Sequence, residues 1–173
     1  MYQLQSLMKK DVEMYKQIII ARKDLKMSPG KLAAQVSHAS MAFLTNQIKV
    51  KTKRVLNRGY SYHTAVTKEP GYHYECILEF DEGLYEQWIL GSFTKVTLGA
   101  RNKNQLLKAV EMAKELGMEE GVDFFLIKDN CYTELEPEEI DEEGVGRTLT
   151  CIGFRPMDSE VIDKIGRKYH IYT

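Results

Sequence analysis

One polar helical segment organises this chain, and it reads Asp24-Leu25-Lys26-Met27-Ser28-Pro29-Gly30-Lys31-Leu32-Ala33-Ala34-Gln35-Val36-Ser37-His38-Ala39. It follows residues 17–22, whose three consecutive isoleucines are typical of a buried strand. Ser28 is a suitable N-cap, and Pro29 suits the first helical position because its missing N–H would be unpaired there. The segment therefore predicts a strand, a short loop and a helix over residues 29–50.

Two different faces are predicted for this helix. At about 100° per residue, Lys31, Gln35 and His38 share one polar stripe. A second stripe is apolar and contains Leu32, Val36, Ala39 and Phe43. A surface helix needs only the apolar stripe, so the polar one is a candidate site, with an ordinary solvated face as the alternative. Gly30 and Lys31 also lie at the helix N-terminus, where unpaired N–H groups attract anions.

Strands and helices alternate along the rest of the chain. Further strands are predicted at residues 76–80, 94–98, 124–127 and 148–154, with an extended segment at 168–172, and further helices at residues 84–90, 102–116 and 158–166. This order predicts an α/β three-layer sandwich, in which a mixed, mostly parallel β-sheet of about four core strands carries helices on both faces. We expect residues 1–173 to form a single domain, with a basic and tyrosine-rich insertion near residues 50–80.

Charge is distributed unevenly, although the formal net charge is only −1. Residues 16–58 contain ten Lys and Arg against one acidic residue, a local charge of +9. Residues 111–143 contain thirteen acidic residues against two lysines, a local charge of −11. The asymmetry favours a basic face for an anionic partner and an acidic face turned away from it, with two ordinary solvated surfaces as the alternative.

Several classes of site are absent from the sequence. Cys76, Cys131 and Cys151 are odd in number and far apart, so they indicate neither a zinc site nor a disulfide framework, and a reducing cytoplasm is the simplest compartment. The signatures GxGxxG, HExxH and GxSxG are missing, and no apolar run approaches a membrane span. We therefore expect no metal, no nucleotide cofactor and no membrane partner.

Asp129 and Thr133 form a second candidate site. They follow the strand predicted at residues 124–127, and ligands in α/β sheets collect beyond the carboxyl ends of strands. A carboxylate and a hydroxyl four residues apart could hold a water there. The alternative is an Asx turn, in which Asp129 bonds its own backbone.

A third candidate is the basic run of residues 49–58 beside four tyrosines, Tyr60, Tyr62, Tyr72 and Tyr74. Alternate tyrosines around a turn predict a hairpin or a lid. Cations with interleaved aromatic rings fit nucleic acid, through phosphate contacts and base stacking, and the alternative is a solvated loop.

Several segments, taken in order, closely resemble the signatures of the archaeal and eukaryotic type of peptidyl-tRNA hydrolase. The long N-terminal signature is similar to Asp24-Leu25-Lys26-Met27 and the segment from Gly30 to Ala39. The later similarities are Trp88, Gly91, Lys95-Val96, Asp129 with Thr133, Thr148-Leu149-Thr150-Cys151-Ile152-Gly153 and Ile162-Asp163-Lys164-Ile165. The resemblance covers most of residues 16–172.

The resemblance implies hydrolysis of the ester that joins a peptide, or N-blocked aminoacyl group, to tRNA, with no cofactor. In this interpretation Asp129 orients or deprotonates water, Thr133 holds that water, and Lys31 stabilises the oxyanion or binds the terminal phosphate. His38 is expected to be a proton-transfer partner or a hydrogen-bonding positioner.

Substrate-binding residues are expected around these groups. Gln35 would orient its neighbours or the substrate, and Gly30 would lie against a bound anion. Contacts with the tRNA backbone are expected from Lys23, Lys26, Lys95, Lys51, Lys53 and Arg54. The implied partner is peptidyl-tRNA, and the resemblance also raises a homodimer, because members of the family often pair.

The chain departs from the family pattern after Asp129. Asn130-Cys131 stand where the family has Ala-Gly, and glycine there permits a close backbone approach. The alternative function is therefore a non-catalytic RNA- or protein-binding module on the same scaffold. A hydrolase for another acyl ester, or for an aminoacyl-tRNA variant, is a third hypothesis.

Overall fold

Two stretches of the chain, residues 14–56 and 71–173, are described by the structure, a computed structural model. The described residues form two compact units. The first unit contains the residues up to Phe43 together with Phe80–Thr173, and the second unit lies within Leu44–Glu79. Of the residues named above, Arg58, Tyr60 and Tyr62 lie outside the described residues. A single domain with an insertion near residues 50–80 stays a prediction.

Strands and helices alternate only in part. The strands are β1 Tyr15–Arg22, β2 Lys53–Leu56, β3 Tyr72–Glu75, β4 Lys95–Ala100, β5 Phe124–Asp129, β6 Glu139–Ile140, β7 Gly146–Phe154, β8 Met157–Asp158 and β9 His170–Ile171. The α-helices are α1 Pro29–Lys51, α2 Lys103–Glu115 and α3 Ser159–Gly166, and a π-helical segment covers Gly83–Ser92. The alternation is broken in two runs of strands, β2–β3 and β5–β8, because no described helix lies within either run. None of the helices in these described stretches is long and apolar enough to cross a membrane.

The larger sheet is mixed. Its order is β5-β7-β1-β4-β9, with β6 on β7 and β8 on β1. β1 and β4 pair in parallel, with Ile18 opposite Val96, while β7 lies antiparallel between β5 and β1. The α/β class and the mixed sheet are confirmed. The expectation of mostly parallel pairing is wrong, because β7 separates β5 from β1 although both run in the same direction.

Helices cover both faces of this sheet, as predicted, because side chains alternate along β1. Ile18 and Ile20 lie in the larger core cluster with residues of α2 and α3. Ile19 packs on the other face with Ala39 of α1. A side chain at Gly153 of β7 would overlap the backbone of Ala39, so glycine there lets α1 approach the sheet closely.

The segments between residues 76 and 93 differ from expectation. Residues 76–80 form no strand with any described segment, and the strand lies just before them as β3. The helix predicted at residues 84–90 is instead a π-helical segment that ends at Ser92, departs from helical geometry at Gly91 and has Phe93 as its C-cap. Leu84 and Trp88, one turn apart, are both buried, which anchors this segment in the core.

The second unit contains an antiparallel pair. β2 and β3 align Lys53 with Glu75 and Leu56 with Tyr72. The guanidinium of Arg54 lies 3.7 Å from the centre of the Tyr72 ring. Tyr72 and Tyr74 thus lie on a paired strand, whereas Tyr60, Tyr62 and Pro70 lie outside the described residues, so the hairpin or lid around the tyrosines stays a prediction.

Candidate active site

Lys31 and Asp129 meet at one edge of the larger sheet. β1 and β5 run in the same direction, so their carboxyl ends share that edge, and α1 starts shortly after β1. Asp129 is the last residue of β5, which extends two residues beyond the strand predicted from the sequence. The Lys31 Nζ lies 2.7 Å from the Asp129 Oδ2, and both side chains are largely shielded from solvent.

Three donors hold the Asp129 carboxylate. Gln35 Nε2 donates to Oδ2 over 2.7 Å, the same oxygen that Lys31 binds. The backbone N–H of Cys131 donates to Oδ1 over 2.9 Å. The two interpretations of Asp129 are therefore both correct. Its Oδ1 accepts from the backbone in an Asx turn, while its Oδ2 faces Lys31. Asp129 is only 8% exposed, so these contacts fix its orientation.

Thr133 joins this site through Lys31. Lys31 Nζ donates to Thr133 Oγ1 over 3.1 Å. An ammonium group has three N–H donors, and these two contacts use two of them. The third can address a negatively charged oxygen of a bound substrate. The structure thus brings together Lys31, Gln35, Asp129 and Thr133.

Gln35 is itself held by a residue that the sequence analysis missed. Thr150 on β7 is fully buried, and its Oγ1 lies 2.7 Å from Gln35 Oε1 and 3.0 Å from the carbonyl of Ile127. The Gln35 amide therefore spans α1, β7 and the end of β5. The available signal was a threonine directly before the apolar end of a buried strand, because a buried polar side chain needs a partner.

Cys131 adopts a backbone conformation that glycine usually occupies. Its φ angle is +56°, in the left-handed region that L-residues other than Asn and Asp seldom adopt. Its amide nonetheless reaches Asp129. The replacement of the family's glycine therefore leaves the hydrogen bond that shapes this loop in place.

Ser28 caps the N-terminus of α1 as predicted, and it is held there by Glu134, another residue that the sequence analysis missed. Both carboxylate oxygens of Glu134 accept hydrogen bonds from Ser28, one from its backbone N–H and one from its hydroxyl, the latter over 2.7 Å. Ser28 Oγ in turn accepts from the Lys31 backbone N–H over 3.2 Å. These bonds from Ser28 lower the pKa of Glu134. A carboxylate of the chain thus already lies where an external anion was expected.

Arg22 ties the acidic loop to the same sheet edge. Its guanidinium is buried, contacts Asp24 over 2.7 Å and Glu138 over 2.6 Å, and donates to the Leu149 carbonyl over 2.9 Å. Burial alone would lower the pKa of Arg22, but the hydrogen bonds with Asp24 and Glu138 outweigh it and raise the pKa. Glu138 of the acidic segment thus pairs with Arg22 of the basic segment, and the expectation of a separate basic face and acidic face stays a prediction.

His38 is placed apart from the other proposed catalytic residues. It is exposed, and within the described residues it makes no side-chain hydrogen bond or ion pair. On the helical wheel Gln35 lies nearest the buried stripe, and His38 lies about 60° further towards solvent. Within the polar stripe, Lys31 and Gln35 therefore contact Asp129, whereas His38 faces solvent.

The predicted substrate-binding residues are scattered. Lys23, Lys26 and Gly30 are exposed near the carboxyl end of β1. Lys95 begins β4, so it lies at the opposite edge of the sheet, where its ammonium sits 3.1 Å from the centre of the Phe93 ring. Burial lowers the pKa of Lys95. The remaining three belong to the second unit, and they are Lys51, Lys53 and Arg54.

Within the described ranges, no group of three or more His, Cys, Asp or Glu side chains is placed to hold a metal ion. The polar atoms gathered at the site are instead an ammonium, an amide, a carboxylate and a hydroxyl. This combination suits orienting a water and stabilising a developing negative charge.

Comparison with known proteins identifies relatives over nearly the whole chain. The family model for Peptidyl-tRNA hydrolase PTH2 matches residues 15–172. A protein named peptidyl-tRNA hydrolase from Methanopyrus kandleri is 35% identical over 153 residues, covering 88% of this chain and 93% of its own. Those of Staphylothermus marinus and Thermoplasma acidophilum are 31% and 28% identical, covering 87% and 90% of this chain and 89% and 97% of their own. The chain belongs to the peptidyl-tRNA hydrolase PTH2 family.

Proposed function

We propose that this protein hydrolyses the ester between a peptide, or N-blocked aminoacyl group, and tRNA, with Asp129, Lys31 and Thr133 as its catalytic residues. Membership of the family and the names of the relatives support the reaction. The observation that carries the assignment of residues is the convergence of Lys31 and Gln35 on one oxygen of Asp129.

Asp129 activates the water. A carboxylate has about four acceptor positions, and the three donors described above leave one on Oδ1. A water that donates to this position is oriented by it and can lose a proton to Asp129 as it attacks the ester carbonyl. Because the carboxylate is fixed by three contacts, this orientation costs little rearrangement at the moment of reaction.

Lys31 stabilises the charge that this attack creates. The carbonyl oxygen becomes negative in the tetrahedral intermediate, and the third N–H of Lys31 is free to donate to it. The intermediate then expels the terminal ribose oxygen, which takes the proton held by Asp129. The products are a peptide with a free carboxylate and a tRNA with a free terminal hydroxyl.

Thr133 and Gln35 support these two groups. Thr133 accepts a hydrogen bond from Lys31, which leaves its own O–H able to donate to the attacking water. Gln35 is a positioning residue, because it is buried and acts through Asp129. His38 has no comparable support for a role in proton transfer, because its side chain is exposed and bonds none of these groups.

The substrate places this reaction in the cytoplasm, where we propose that the protein works. All three cysteines carry free thiols, which is compatible with a reducing compartment. Pairing into a homodimer remains a separate proposal, to be tested by sedimentation over a range of protein concentrations.

The deciding experiment is a single-turnover assay. We expect wild-type protein to release tRNA from N-acetyl-aminoacyl-tRNA, and Asp129→Asn to bind that substrate without releasing tRNA. Free aminoacyl-tRNA is the comparison, and an equal rate on both would point to a broader acyl esterase. Tight binding by wild type with no release would instead establish a non-catalytic RNA-binding module.

A further inference from the structure

A second cleft lies on the same sheet edge as the proposed active site, at the ends of β1 and β4 and not at the end of β5. It has a volume of about 330 Å³ and is lined by Lys23, Gly99, Arg101, Gln105, Lys168, His170 and Ile171. Three of these residues are cations, one is a histidine and none is acidic. Such a lining favours an anionic ligand.

The fold explains why these residues meet. Lys23 directly follows β1 and Arg101 directly follows β4, which is parallel to β1. β9 runs antiparallel to β4, with His170 opposite Gly99, so Lys168 and His170 enter from the same edge. Three separate segments therefore bring positive charge to one place.

The cations of the cleft are not neutralised by carboxylates. Within residues 14–56 and 71–173, Lys23, Arg101 and Lys168 make no ion pair. Asp24 lies next to Lys23 in sequence but binds Arg22, and Glu138 binds Arg22 and Lys103. The nearby negative charge is thus already paired.

Lys23 is held in place by its neighbours. A side chain at Gly99 would collide with the Lys23 stem, at 2.7 Å from its Cδ, so glycine leaves room for that stem. The Lys23 ammonium lies 5.7 Å from the centre of the Tyr172 ring. Packing the stem while leaving the ammonium exposed lets it meet a phosphate with less loss of side-chain freedom.

We propose that this cleft binds phosphodiester groups of the RNA that carries the ester. The inference rests on the proposed function, because it takes tRNA as the substrate. Asp129 ends β5, and three strand spacings separate β5 from β4, about 15 Å at ~4.8 Å each. An RNA strand whose terminal ribose lies at Asp129 therefore reaches the cleft within a few nucleotides. Arg101 can grip a phosphate through two N–H groups, and the lysines act as point charges.

The test removes charge from the cleft without touching the proposed catalytic residues. Arg101→Gln, Lys168→Gln and the double variant are compared with Lys114→Gln, an exposed lysine near the end of α2, which leads away from this edge. Two substrates are used, namely N-acetyl-aminoacyl-tRNA and the same acyl group on a terminal adenosine. Thermal unfolding verifies that each variant is folded.

We expect the double variant to raise KM for the tRNA substrate by about tenfold or more, with kcat within about twofold of wild type. The slope of log KM against log salt should fall by about 1.5, because two phosphate contacts are lost. KM for the adenosine ester should not change, and Lys114→Gln should behave as wild type. An unchanged KM and salt slope in the double variant would overturn the proposal.

Binding of uncharged tRNA separates this proposal from the proposed function. If wild-type protein fails to hydrolyse the ester but the double variant binds uncharged tRNA about tenfold more weakly, the cleft proposal stands and the catalytic one falls. If hydrolysis is normal and all variants bind uncharged tRNA equally, the cleft proposal falls alone.

Discussion

The side-chain amide of Gln35 lies 2.7 Å from Asp129 Oδ2, so a buried residue of α1 fixes the carboxylate that ends β5. The two residues are 94 positions apart in the chain. Their contact depends on β1 and β5 pointing the same way and on α1 packing over that part of the sheet. The proposed chemistry is therefore a product of the sheet topology.

Asp129→Asn should lower kcat by about 10²-fold or more, because the amide cannot accept the proton from water. The fold should persist, since the amide oxygen can still accept from Cys131. Hydrolysis of N-acetyl-aminoacyl-tRNA and thermal unfolding measure the two effects. Asp163→Asn is the matched control, because Asp163 also binds a lysine, Lys16, over 2.7 Å but lies outside the site. Equal kcat values for the two variants would remove Asp129 from the mechanism.

Lys31→Met should lower kcat by about 10²-fold, the usual effect of losing one preorganised donor to a developing oxyanion. The methionine keeps the length of the side chain, so the loss reports the charge and its hydrogen bonds. Lys16→Met removes the corresponding lysine of the control pair and should leave kcat unchanged. A Lys31→Met enzyme with normal kcat and raised KM would instead assign Lys31 to substrate binding.

Thr150→Val should lower kcat several-fold by freeing the Gln35 amide, while KM stays near its wild-type value. Thr148→Val is the control, because Thr148 is equally buried but bonds the carbonyl of Glu136. Each loss should cost about 1–2 kcal/mol of unfolding free energy. If kcat falls equally in both variants, Thr150 acts through stability alone.

Much of the fold followed from local patterns. The three isoleucines, the Ser28-Pro29 start of α1 and the apolar repeat of α2 each have a strong local signature, and each forms the predicted element. The position of β7 could not be predicted in this way. Which strand lies between β5 and β1 depends on contacts between distant residues, and local periodicity carries no information about them.

In the site, as in the fold, local features could be predicted from the sequence and contacts between distant residues could not. Lys31 was predicted from the polar stripe in the first turn of α1, and Asp129 from its place just beyond a predicted strand, and both patterns are local. Glu134 was missed, because its contact with Ser28 joins residues 106 positions apart. His38 was assigned to the same polar stripe as Gln35 because the two lie only about 60° apart around the helix. That rotation is enough to leave Gln35 buried and His38 exposed.

His38→Gln should retain kcat within about threefold of wild type, because His38 is exposed and contacts none of the proposed catalytic residues. The glutamine keeps a polar side chain on that face of α1. Activity from pH 5.5 to 8.5 should keep the shape of the wild-type profile, because the proposed mechanism assigns no proton transfer to His38. A loss of about 10²-fold, or removal of an ionisation from the profile, would restore His38 to the mechanism.

Glu138 should make stability depend on acid pH. Its hydrogen bond with Arg22 lowers the pKa of this carboxyl below 4.5, with a further contribution from Lys103. A carboxyl with a depressed folded-state pKa stabilises the protein above its ordinary pKa, and the stabilisation disappears as pH falls through the depressed value. Urea unfolding of Glu138→Gln should therefore show lower stability near neutral pH and a shallower loss of stability below about pH 4.5 than wild type.

The control for this titration is Glu142→Gln, an exposed carboxylate of the same loop with no ion pair inside the described segments. It should follow the wild-type curve, because the substitution removes no ion pair that these segments show. Part of the acid slope should survive in Glu138→Gln, since Asp141, bound by Arg147 and by backbone N–H groups, also has a lowered pKa. Superimposable curves for wild type and Glu138→Gln would mean that Arg22 is compensated by Asp24 alone.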